Sequence, residues 1–153
     1  MANKKGENMD YKKLGDTYYL RFDKGDEIIS GIRSICQKEH ITSATYSGIG
    51  GCSDAEIQTF IPEKGAFITD KVSGMLELVS LMGNIIADDS GEFKTHTHAI
   101  FAYLENGEHR TIAGHLKSTT VLYTGEIELR PVQGGAIHLK PSVETGTDFW
   151  DFR

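Results

Sequence analysis

The sequence predicts an α+β domain, a mainly antiparallel β-sheet with one principal helix packed on it. Two observations carry this. Short segments rich in β-branched and aromatic residues follow one another along most of the chain, separated by Gly, Asp, Ser or Pro turn signals. Only one stretch, Ile28, Ile29, Ile32, Ile35 and Cys36, repeats apolar residues at helical spacing. A doubly wound α/β fold would need several such stretches between its strands.

Taken in order, the polar residues 1–9 predict a flexible N-terminus, residues 10–142 the folded domain, and residues 143–153 an aromatic tail. Tyr18 to Phe22 reads as the first strand. Asp23-Lys24-Gly25-Asp26 supplies turn and cap chemistry for an amphipathic helix from about Gly25 to Glu39. Strands are then expected over Thr42 to Ser47, Asp54 to Phe60, Ala66 to Asp70, Gly74 to Ser80, Leu81 to Ala87, Thr95 to Leu104, Glu108 to Leu116, Thr120 to Arg130 and Gly135 to Leu139. Ser47-Gly48-Ile49-Gly50-Gly51 resembles a phosphate loop superficially. It lacks the Lys-Ser/Thr of a P-loop and no helical pattern follows, so a tight turn with close backbone packing is expected there.

Composition excludes several classes. A chain of 153 residues suits one domain with one core. The start from Met1 to Asp10 has no apolar signal-peptide core, and no apolar run reaches membrane-spanning length, which predicts a soluble cytoplasmic protein. Cys36 and Cys52 form no Cys-x-x-Cys pattern, so reduced, buried thiols are expected. With 22 acidic against 16 basic residues the net charge is −6, a poor basis for neutralising phosphates. The only basic cluster, Lys4, Lys5, Lys12 and Lys13, falls in the expected frayed terminus.

The chemistry concentrates in Thr95-His96-Thr97-His98, Glu105-Asn106-Gly107-Glu108 and Gly114-His115-Leu116. Alternation on a strand puts His96 and His98 on one face, and Asn-Gly is the strongest short signal for a two-residue hairpin turn. With Asn106-Gly107 as the turn, paired positions sum to 213, and His98 lies across from His115. Three imidazoles then converge on one patch. Three histidines leave a tetrahedral divalent metal with an open fourth position, the arrangement of a catalytic or ligand-binding zinc. An isolated His-x-His is common by chance, and it is the third histidine in register that lends weight. Under the same register His109 pairs with Leu104, about 20 Å from the cluster at the usual strand rise, and reads as a solvated residue. His40 at the helix end and His138 in a late segment read as ordinary structural residues.

Leu20-Arg21-Phe22-Asp23-Lys24-Gly25-Asp26 leading into a helix, Tyr46-Ser47-Gly48-Ile49-Gly50, Leu76 to Asn84, His96-Thr97-His98 and Gly114-His115-Leu116 occur in an order that resembles the plants-and-prokaryotes-conserved domain, also called PPC, PCC or DUF296. The resemblance runs from about Asp10 to Leu139. It implies a small antiparallel α+β fold that assembles as a homotrimer. In plants such domains follow AT-hooks that bind the minor groove of A·T-rich DNA. An AT-hook needs an Arg-Gly-Arg-Pro core. Leu129-Arg130-Pro131 is the nearest string here, so DNA binding does not carry over on motif grounds. Met75 in Gly74-Met75-Leu76-Glu77 also departs from the arginine typical of plant members. The fold further looks similar to acetolactate decarboxylase, which holds zinc through histidines on neighbouring strands, and His96, His98 and His115 fit that pattern. Resemblance of fold does not transfer the reaction.

Three functional readings follow. The first is a stand-alone trimeric domain of this family whose His96, His98 and His115 hold Zn2+ or another divalent transition metal and bind a small carboxylate. The second is a regulator associated with DNA, weakly or through partner proteins. The third is a zinc-dependent lyase or hydrolase. For that third reading, Glu126, Glu128 and Arg130 share one strand face; Glu126 could shuttle protons and Arg130 could clamp a substrate carboxylate. A solvated face carrying charge pairs is the plainer account of the same residues, and Tyr123 and Glu77 have similar standing. The tail Thr147 to Arg153 holds Phe149, Trp150 and Phe152, enough apolar surface to predict docking on the core or on another subunit.

Overall fold

A computed structural model describes residues 9–153. Its strands are β1 (Asp10–Leu14), β2 (Thr17–Phe22), β3 (Ser43–Ile61), β4 (Ala66–Ala87), β5 (Phe93–Glu105), β6 (Glu108–Pro131), β7 (His138–Pro141) and β8 (Asp148–Asp151), with one helix, α1 (Ile28–Lys38). All pairings are antiparallel. The main sheet runs β1-β2-β6-β3-β4-β5, and β5 pairs also with β6, so β3, β4, β5 and β6 close into a ring. Between His98 and Ala102, β5 is thereby paired on both sides, with β4 and with β6.

The helix begins later than the sequence suggested. Asp26 accepts a hydrogen bond from the Asp23 backbone at 2.8 Å, and Gly25 takes φ +93°, so residues 23–26 make a turn of their own. The cap is therefore Glu27, whose carboxylate accepts from the backbone N–H groups of Ile29 and Ser30. Ile28, Ile29, Ile32, Ile35 and Cys36 are all buried. They pack with Phe22, Leu20, Ile127 and Leu129 into one core between helix and sheet. At the far end Ile41 donates to the Cys36 carbonyl, and His40 takes a left-handed φ of +55°, closing the helix. Burial pushes the Cys36 thiol up to about 12 and also raises that of Cys52; both thiols are free.

Several short strands of the sequence reading merge. The expected turn at Gly48–Gly51 lies inside β3, paired with β4 on one side and β6 on the other. Close backbone packing there is present, because a Cβ on Gly48 would meet the Glu126 carbonyl and Ile127. The registers shift near these glycines, and such bulges let a long strand bend with its neighbours where the sequence reads as a break. β4 likewise runs through Gly74 and Ser80, and β6 joins the two segments expected before and after Lys117. β1 has no counterpart in the sequence reading; it extends the sheet beyond β2. Lys12 and Lys13 stand on it and are not frayed, while Lys4, Lys5 and the rest of residues 1–8 lie outside the described residues. The tail contributes β8, which pairs with β7 in a separate two-stranded hairpin. Among the described residues no helix is long and apolar enough to cross a membrane.

Candidate metal centre

The β5–β6 hairpin turns at Asn106 and Gly107, with φ +52° and +80°, the paired left-handed conformations that an Asn-Gly turn tolerates. That turn sets the register. His98 pairs with His115, and His109 pairs with Leu104 at the remote end. His96, two residues before His98, shares its face, and the ring centroids lie 5.1 Å (His96 to His98), 5.1 Å (His96 to His115) and 4.4 Å (His98 to His115) apart. One nitrogen from each ring falls within 4.8 Å of the others, and the Nε2 atoms of His96 and His98 are 3.3 Å apart.

The strand that bears them is pinned from beneath. Thr97, between the two histidines, faces the interior, and its hydroxyl hydrogen-bonds the buried Tyr46 hydroxyl. Tyr46, Gly83 and Thr97 form one row across β3, β4 and β5. The Tyr46 ring reaches Thr97 by lying over Gly83, where a Cβ would sit 2.8 Å from the ring. Phe67 presents its ring edge-on to His115 at 5.3 Å, fixing the third imidazole from the β3–β4 arm.

Burial, then the nearby charge of His98, holds the His96 imidazole below its ordinary value. His115 is lowered by burial first, then by His98 and His96. Both causes favour neutral rings, the form that binds a metal. The donor set fits a divalent transition metal: three imidazoles suit zinc, copper, nickel or iron, whereas calcium or magnesium would call for oxygen ligands.

The structure does not bring the other sequence-predicted residues to this patch within one chain. Arg130, Thr45, Asn84 and His96 lie in a single row across β6, β3, β4 and β5, so Arg130 is three strand spacings, about 14 Å, from His96. The Arg130 guanidinium pairs with Glu128 at 2.7 Å. Glu126 sits opposite Arg21 and Ile49, and it lines a different cavity of about 440 Å3 with Tyr123 and Glu77. His40 and His138 are also elsewhere, His138 lying 3.7 Å from Asp89.

What the sequence left unread is the cavity beside the histidines. β5 parts from β6 before His98, and the fork opens a cavity of about 880 Å3 whose wall includes His96 and His115. Phe60 and Phe67 reach it from the β3–β4 arm, Phe93 from β5, Arg33 from α1, and Phe149 and Trp150 from β8. The tail aromatics carried a signal in their clustering. Arg33 carried none, being one polar residue on the outer face of an amphipathic helix.

A family model described as the Plants and Prokaryotes Conserved (PCC) domain matches residues 9–133. Among solved structures, a plant- and prokaryote-conserved (PPC) protein of Pyrococcus horikoshii is 30% identical, with a TM-score of 0.78 over 96% of each chain. A metal-containing protein of Archaeoglobus fulgidus is 26% identical, with a TM-score of 0.78 over 95% of this chain and 99% of that one. A candidate DNA-binding protein of Bacteroides thetaiotaomicron has a TM-score of 0.85 over 94% of this chain and 97% of that one; at 24% identity this is a likeness of fold. No curated protein matches the chain.

Proposed function

The chain belongs to the Plants and Prokaryotes Conserved domain family, and on that premise we infer that it is a homotrimeric metal-binding protein. Its His96, His98 and His115 would hold zinc or another divalent transition metal and present it to a small carboxylate ligand. The observation that carries this reading is the convergence of three imidazole nitrogens within 4.8 Å, with no carboxylate in the cluster. A neutral donor set leaves the charge of a divalent ion uncompensated, so an anion is favoured at its open position. When bound, the ion would supply Lewis acidity there. The chain's own part is to favour the neutral form of His96 and His115, to hold β5 through Tyr46 and Thr97, and to brace His115 with Phe67.

Two features support assembly. The outer sheet face beside the histidines exposes Ile49, Val79, Met82 and Tyr123, between 52% and 66% accessible, a run of apolar surface of the kind that subunits cover. Phe152 on the tail is likewise exposed. A lyase or hydrolase would ask Glu126 for proton shuttling and Arg130 for a carboxylate clamp, and their distance from the imidazoles within one chain makes binding the reading we adopt. DNA association finds no support in charge at −6 per chain.

Cobalt(II) titration tests the centre. Metal-free protein should develop the intense visible absorption of four-coordinate cobalt, saturating at one ion per chain, and acetate should shift it. No uptake, or an unsaturable weak rise, would overturn the assignment.

A further inference from the structure

We propose that the cavity at the β5–β6 fork binds an aromatic carboxylate, its carboxylate directed to the three-histidine centre and its ring packed among the side chains of Phe60, Phe67 and Trp150. The proposal rests on the metal reading above and adds the class of ligand and the residues that select it.

Size comes first. About 880 Å3 is the range of small-molecule sites, which are walled mainly by apolar and aromatic groups with a few polar anchors. Five aromatic side chains line this cavity: Phe60, Phe67, Phe93, Phe149 and Trp150. They begin at the metal centre itself, since Phe67 touches His115 edge-on at 5.3 Å and Phe60 lies 5.2 Å from Phe67. A ligand anchored on the ion by a carboxylate therefore meets aromatic surface at once, and offset or edge-to-face packing favours a ring over an alkyl group there.

Charge sets the polarity of the anchor. Arg33 and Lys94 on the wall are balanced by Glu92 and Asp148, and Lys94 is held by Glu92 at 2.8 Å. A ligating imidazole is a neutral donor, so the bound ion is then the uncompensated charge in the cavity. An anionic headgroup goes to it, while an uncharged ring has no comparable anchor.

The tail supplies the final argument. Phe149 and Trp150 stay 51% and 43% exposed, although β7 and β8 hold them against the cavity. They are therefore not core residues. A ring entering the cavity would cover apolar surface that folding alone leaves in water.

Trp150 is the chain's single tryptophan, so its fluorescence reports on this cavity alone. Zinc-loaded full-length protein is titrated with phenylacetate, with acetate as the anchor without a ring and benzyl alcohol as the ring without an anchor, by fluorescence and calorimetry. We expect phenylacetate to perturb Trp150 and to bind at least tenfold more tightly than either control. Stripping zinc should abolish the difference, and Phe60→Leu, which lines the cavity without touching a histidine, should reduce phenylacetate affinity at least fivefold while zinc stays at one per chain. If zinc is not bound, the metal reading itself fails. Zinc bound with equal affinity for phenylacetate and acetate overturns the aromatic proposal alone. So does a Trp150 already shielded from acrylamide and indifferent to phenylacetate, which would assign the tail aromatics to an interface between copies.

Discussion

Replacing Gly83 by alanine should damage both the fold and the three-histidine cluster, by a route that the row Tyr46–Gly83–Thr97 makes explicit. The new Cβ would lie 2.5 Å from the His96 carbonyl oxygen and 2.8 and 2.9 Å from two atoms of the Tyr46 ring. Neither neighbour is free to retreat. The carbonyl is fixed in the β4–β5 ladder, and Tyr46 is buried in the core. Overpacking of this kind costs about 1–3 kcal/mol. A displaced Tyr46 also abandons Thr97, and an unpaired hydroxyl in the interior costs about 1–3 kcal/mol more. Taking roughly 3 kcal/mol in total, the melting temperature should fall by about 6–12 °C for a chain of this size. Tyr46→Phe separates the two contributions, since it keeps the ring and removes only the hydroxyl. It should cost about 1–3 kcal/mol and less than Gly83→Ala. Urea denaturation measures both variants, and zinc titration should show weaker binding by Gly83→Ala, whose clash bears directly on His96. A Gly83→Ala protein within 0.5 kcal/mol of the parent, or a Tyr46→Phe protein that loses as much, would refute the reasoning.

Other outcomes follow from the same geometry. His96 and His115 have lowered values in the fold, so as pH drops below about 6.5 the unfolded chain takes up protons that the folded chain resists. Metal-free protein should therefore lose stability through and below that pH and show no contribution from these groups above it; a stability difference between parent and a His96→Gln/His115→Gln variant that is flat from pH 8 to 5 would contradict this. Light scattering should give three times the chain mass, and deleting Asp148 to Arg153 should weaken assembly or folding; a stable monomer in both cases ends the trimer proposal. Three chains carry three times −6, a formal charge of −18, so duplex DNA should bind only weakly at physiological salt. Submicromolar binding to A·T-rich duplex would instead favour the regulator.

The convergence of His96, His98 and His115 was legible in the sequence because its geometry is local. Two histidines at strand spacing and one Asn-Gly turn determine which residues face each other, and His98 does meet His115. The helix was legible for the same reason, through the spacing of its isoleucines, with only its start displaced by the Asp23–Asp26 turn. Long strands were not. Gly48, Gly50 and Gly74 look like breaks, yet within a closed ring they are places where neighbouring backbones crowd or strands bend. β1 escaped notice because Asp10–Leu14 is nearly all exposed, and its pairing with β2 leaves no apolar alternation to read. The cavity was invisible for a different reason. It depends on where β5 leaves β6, on the outer face of α1 and on the tail hairpin, three elements far apart in the chain.

Metal content is the most direct measurement of the central claim. Protein purified without an affinity tag, and without added metal, should carry about one zinc-like ion per chain by elemental analysis, or take up one on titration and release it on acidification. His98→Ala should abolish this binding and His109→Ala should leave it intact, both variants remaining folded, because His109 sits at the far end of the hairpin, opposite Leu104. Equal metal binding by the two variants, or none by the parent, would contradict the three-histidine centre on which the functional reading stands.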